Sequence, residues 1–286
     1  MSKLLIPGLI ALFAWWFSTG LVLVLDGLPR RTFRWSMLGA AAVFVLSLAG
    51  LWYASGLSTT AAAYGGFVSG LLAWGFLEMS FLTGMLTGPR KHACPPDCRG
   101  WQHFRHGVEA ILYHEIAIIA AAMLVLAVTW DAANQIGTWT FMILWIMRQS
   151  AKLNLFLGVR NLSEDFLPQH LRYLASFFRR RAMNPLFPVS VTGATVATAW
   201  LAQRAVQATS EFEATGFALL AALMGLALLE HWLLVLPIRA EALWSFGLKS
   251  TAADARQHQA ATPGEPLDPG PMRTRWEPGS CPARGP

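Results

Sequence analysis

Two pairs of adjacent residues, His114-Glu115 and Glu230-His231, stand inside runs that are otherwise almost wholly apolar. Glu78, Arg148 and Lys152 interrupt two further runs of the same kind. Imidazole and carboxylate groups from separate helices can ligate iron, zinc or manganese, and an imidazole can be the axial ligand of a haem or of a chlorophyll magnesium. The same groups, with Arg and Lys beside them, can instead neutralise one another or pass protons. Neighbouring positions on a helix point about 100° apart. The two pairs therefore lack the Glu-x-x-His spacing of di-iron bundles, and no His-x-x-x-His box occurs.

These residues need helices long enough to hold them in hydrocarbon. The chain has 286 residues, 55% of them hydrophobic and only 13% charged, with 13 Trp. That balance excludes an ordinary soluble domain. The apolar runs exceed the roughly 18 residues that a membrane helix needs, whereas barrel strands are about 10 residues of alternating pattern. We expect an all-α polytopic membrane bundle with spans near 4–25, 36–55, 62–86, 108–129, 136–157, 186–207 and 214–237. The first run is too long for a signal-peptide core and has no A-x-A cleavage site, so it reads as a retained span.

The loops after spans one, three and five carry Arg30, Arg31, Arg34, Arg90, Lys91, Arg99, Arg105, Arg160, Arg172 and Arg179 to Arg181. Those after spans two, four and six carry no Lys or Arg. The positive-inside rule then sets the N-terminus outside and the C-terminus inside. The net charge of +6 is a topology signal and a contact for anionic lipids. No nucleic-acid module is present to claim it.

With this orientation Glu78, His114, Glu115, Arg148, Glu230 and His231 share one level of the inner leaflet, roughly 10 Å deep at about 1.5 Å per residue, with Lys152 one turn nearer the interface. Arg204 is the exception near the outer end. Three readings fit this layer. It can be a structural charge network, a pigment or metal site in which Glu78, His114, Glu115, Glu230 and His231 are the candidate ligands, or a proton or ion path. The path lacks polar residues in the outer half. A retinal protein is excluded because span seven has no lysine.

Two loops carry further signals. The run "HACPPDCRGWQHFRH" holds Cys94, Cys98, His103 and His106, ligand types that suit zinc at a spacing unlike a zinc finger. A basic loop held by Pro95 and Pro96 is the simpler reading. All three cysteines, Cys281 included, fall on the cytoplasmic side of this topology, so free thiols are expected. "NLSEDFLPQHLRYLASFFRRR" spaces Leu167, Leu171, Leu174, Phe177 and Phe178 on one face and predicts an interfacial amphipathic helix over 163–182. The domain organisation is then a transmembrane unit over 1–249 and a Pro/Gly-rich, disordered cytoplasmic tail over 250–286.

The stretches "WWFSTG", "LPRRTFRWS", "EMSFLTGMLTGPR", "YHE", "LEHWLLVLP" and above all the block from Lys152 to Val191 are similar to the photosynthetic complex assembly protein 2 family, the PuhE type, of aerobic and purple phototrophic bacteria. The resemblance runs from about residue 10 to 248. It implies a multi-pass inner-membrane protein, encoded near the reaction-centre H subunit and needed to build up the reaction centre and its core antenna. Reaction-centre or antenna subunits, bacteriochlorophyll and membrane lipids are the implied partners. It supplies no catalytic residues. Joined to the buried layer, it suggests an assembly factor that docks an immature subunit or handles bacteriochlorophyll. In that case His114 or His231 would ligate magnesium, and Arg148 and Lys152 would pair the carboxylates or meet an acid group. The alternatives are a membrane metalloenzyme acting on a pigment, isoprenoid or lipid precursor, and a transporter of a pigment precursor.

Overall fold

The protein, a computed structural model, is described over residues 2–162 and 167–237. These residues form an all-helical structure with seven long helices: α1 (Ser2–Asp26), α2 (Phe33–Ser55), α3 (Thr60–Leu82), α4 (Gly100–Val128), α5 (Ile136–Leu157), α6 (Leu186–Gln207) and α7 (Glu211–Leu233). No strand occurs among the described residues, only one bridge between Val159 and Arg180. By length and composition five of the helices, α1 to α4 and α7, can cross a membrane. The two others, α5 and α6, are 22 residues each and more polar.

Helices α3 and α7 are central, with about half of each apolar span buried, whereas α1, α2 and α4 turn most of their surface outward. An outer helix in lipid has no reason to be amphipathic, and what decides contact is how closely backbones can approach. Between α3 and α5 they approach through glycine. A Cβ at Gly70 would lie 2.5 Å from the Gly137 carbonyl oxygen, and one at Gly137 would lie 2.6 Å from that of Gly66. Asn134, before α5, fastens this end by donating from Nδ2 to the carbonyls of Ala54 and Ala62, both at 3.0 Å.

At the opposite end α3 stops at Leu82, four residues short of the expected boundary. Thr83 caps it, Gly84 follows with φ 74°, and the Leu86 N–H reaches back to the Ser80 carbonyl at 2.9 Å. Helix α4 starts eight residues earlier than hydropathy suggests, because its first turns carry His103, Arg105, His106 and Glu109. The loop between them lies tightly on α4. The His114 N–H donates to the Thr87 carbonyl at 2.9 Å, and a Cβ at Gly88 would stand 2.1 Å from the Glu109 carbonyl oxygen.

The expected amphipathic helix over 163–182 is shorter and tighter than its periodicity suggests. Residues 163–166 lie outside the described ones, and Gln169–Phe177 is a run of 3-10 turns begun by Pro168 and ended by an extended Phe178. Its apolar face, Leu171, Leu174 and Phe177, is buried against Phe81 and Ala110 of α3 and α4. The tail over 250–286, with Cys281, also lies outside the described residues.

Candidate functional site

Helices α1, α3, α4, α5 and α7, with Leu174 and Phe177 of the segment before α6, line a partly open cavity of about 600 Å³. Its walls are mostly apolar, with Trp15, Trp74, Phe81, Met147, Phe156 and Leu223 among them. Five of the seven residues expected at the buried layer line it: Glu78, Glu115, Arg148, Lys152 and Glu230. His114 and His231 are absent from its lining.

The layer divides into local partnerships. Arg148 and Lys152 sit one turn apart on α5, so both side chains reach the same cavity wall. Arg148 pairs with Glu78 of α3, its Nη2 donating to Oε2 at 3.3 Å while Nε lies 3.2 Å from Oε1. The latter approach is too bent to be a hydrogen bond and leaves both atoms without a bonded partner. Lys152 Nζ donates to Glu115 Oε1 of α4 at 2.6 Å, and Gln149 Nε2 donates to the other oxygen of that carboxylate. Glu230 of α7 accepts from the Trp15 indole of α1 at 2.8 Å. The three carboxylates thus have three different kinds of partner. Gln149 and Trp15 complete them, and neither is a charged group that inspection for ionisable residues would find.

The two histidines behave differently. The His231 Nδ1 lies 2.9 Å from the Ala227 carbonyl, which only accepts, so Nδ1 carries the proton and Nε2 accepts from the Ser150 hydroxyl at 2.9 Å. Both ring nitrogens are engaged inside the protein. Ser150 leads on to Ser190 at 3.0 Å, Ser190 accepts from Asn154 Nδ2 at 3.1 Å, and Asn184 Nδ2 donates to Asn154 Oδ1 at 3.0 Å. Asn184 Oδ1 takes the N–H groups of Leu186 and Phe187 at the start of α6. This neutral chain ties α5, α6 and α7 together. His114 is 1% exposed, packs on Phe81 with ring centroids 4.6 Å apart, and leaves its Nδ1 without a partner.

A second cluster lies in the loop between α3 and α4. Cys94 Sγ is 3.3 Å from His103 Nδ1 and 3.7 Å from His106 Nδ1, and Cys98 Sγ is 3.2 Å from His106 Nδ1. Neither Cys94 nor Cys98 is in a disulfide. Burial, with Cys98 close by, pushes the Cys94 thiol up to about 11.

A profile described as a protein of unknown function (DUF3623) matches residues 1–255. The chain belongs to the DUF3623 family. It is 39% identical over 265 residues to a Rhodobacter capsulatus protein described as an uncharacterized 30.4 kDa protein in the puhA 5' region, covering 90% of this chain and 97% of that relative. No solved structure matches the chain.

Proposed function

We propose that this DUF3623 member is an assembly factor for the photosynthetic reaction centre and core antenna in a bacterial inner membrane, and that its cavity receives a bacteriochlorophyll or a precursor of one as cargo. The observation that carries the reading is the cavity. Ligand sites are mostly apolar with a few polar groups that fix orientation, at about 300–1,000 Å³, and here the charged ones are two ion pairs and a carboxylate in mostly apolar surroundings. Charge at such depth is costly even when paired, and its presence points to binding or transport. The genomic position of the Rhodobacter capsulatus relative, in the puhA 5' region, supports the photosynthetic assignment.

In this reading all seven helices cross the membrane, α5 and α6 included, with the N-terminus outside and the Arg-rich loops inside. The polar helix α5 is tolerated because its charges face the cavity and not lipid. Arg148 and Lys152 meet an acid or carbonyl group of the cargo, exchanging part of their bonds with Glu78 and Glu115. A direct imidazole ligand is the less favoured contact. His231 has no free nitrogen, and His114 would have to pass Phe81.

The test replaces the Glu78–Arg148 pair by the neutral pair Glu78→Gln with Arg148→Met, which leaves neither member of the pair as a lone charge. Reaction-centre and antenna levels in the phototrophic host should fall at least several-fold while immunoblots show this protein unchanged. Normal photosynthetic complexes with that double variant would refute a cargo role for the cavity.

A further inference from the structure

We propose that Cys94, Cys98 and His106, with His103 as the fourth donor, form a zinc site of structural type in the loop between α3 and α4. The inference is independent of the cargo reading. In a tetrahedral zinc site with Zn–S about 2.3 Å and Zn–N about 2.0–2.1 Å, sulfur and nitrogen ligand atoms lie roughly 3.5 Å apart. The three S···N separations here are 3.3, 3.7 and 3.2 Å. The ligand atoms of Cys94, Cys98 and His106 all lie within 4.8 Å of one another. Hydrogen bonds to sulfur are weak, so bringing two thiols and two imidazoles together in a partly buried loop gains little unless an ion joins them.

Several features hold the donors in place. Cys94 donates its N–H to Ser176 Oγ at 2.9 Å, and the Cys98 N–H closes a turn onto the Pro95 carbonyl at 3.0 Å. Gly100 follows with φ 56°, a conformation that favours glycine, and lets α4 begin straight after the cysteines. His103 and His106 stand three residues apart in the opening turns of α4, hence on one face. Both are buried, and the His103 Nε2 has no partner. Thiolate and imidazole donors together select zinc over magnesium, calcium or manganese, which prefer oxygen.

The position gives the ion a task. His103 stacks on Phe156 at 5.2 Å and lies 5.8 Å from Phe177, and both of these rings line the cavity. Zinc at this place would fasten the loop, the start of α4 and the Gln169–Phe177 turns into one wall at the loop end of the cavity.

The test is elemental analysis of the full-length protein, purified in detergent without a metal-affinity tag, followed by chelator stripping and reloading with cobalt(II). We expect one zinc per chain, and after reloading the thiolate-to-cobalt charge-transfer band and intense d–d bands of a tetrahedral site. Cys98→Ser and His106→Ala should lose the bound metal, His103→Ala should weaken it, and Cys281→Ser should leave it intact. Because the first two variants can also fail to fold, the cobalt spectrum of the unaltered protein is the independent reading. Several results would overturn the site: protein without stoichiometric metal and no cobalt spectrum, a Cys94–Cys98 disulfide, or zinc that survives Cys98→Ser. Iron or copper in the same stoichiometry would overturn zinc, and unchanged binding in His103→Ala would overturn its place as fourth ligand.

Discussion

Helix α5 presents two polar faces at nearly the same height, and they are built on different rules. Toward the cavity it shows Arg148, Gln149 and Lys152, charged or bonded to charge, lining open space. Toward α6 and α7 it shows Ser150 and Asn154, neutral and continued without a break through His231, Ser190 and Asn184. The second face resembles the polar adhesive of membrane bundles, in which hydrogen bonds between helices replace the missing hydrophobic drive. A bundle that needs only adhesion has that means available and no reason to add ions. In the proposed reading, the charged face is the one whose cost is met by a ligand.

The comparison can be broken most severely on the neutral side. Asn184→Leu removes three donated bonds and the acceptor for two N–H groups at the start of α6. Each buried partner left unsatisfied costs about 1–3 kcal/mol, so a total loss on the order of 3 kcal/mol is expected after relaxation. Thermal unfolding in detergent should show it as a clear drop in the midpoint. A midpoint equal to that of the unaltered protein would mean that the neutral chain does not hold the helices together.

The charged side should respond less, and in a way that pairing cancels. Lys152→Met leaves the Glu115 carboxylate with Gln149 as its remaining neutral donor, and should cost roughly 1–2 kcal/mol, most of which returns when Glu115→Gln is added. A double-mutant cycle on unfolding free energies measures this directly. A loss in the double variant equal to the sum of the two single losses would show that the pair is not coupled.

The sequence revealed the bundle better than the site. Runs of apolar residues set the helices to within about four positions apart from the start of α4, because length and composition are properties that each segment carries alone. The misses at the ends of α3 and α4 come from local chemistry that hydropathy averages away: Thr83 and Gly84 stop one helix, and a polar pair of opening turns lengthens the other. Five of the ionisable residues that interrupt apolar runs line the cavity. Their partners were not legible, since Gln149, Trp15, Ser190 and Asn184 meet the layer only through packing between helices distant in sequence. His114 and His231 looked equivalent to the carboxylates beside them, but a step of about 100° around the helix turns them away from the cavity. The loop cysteines and histidines were visible as a motif, but linear spacing did not show that the loop folds back on the first turns of α4.

The central claim, that charge is kept at the cavity to receive a pigment, is tested most directly by the absorption spectrum of the protein purified in mild detergent from its phototrophic host. The account predicts a bound bacteriochlorin band, lost in the Glu78→Gln, Arg148→Met double variant and retained in Glu115→Gln, Lys152→Met to a smaller extent. A colourless protein from cells rich in pigment, folded by its circular dichroism and unable to take up added bacteriochlorophyll, would contradict it.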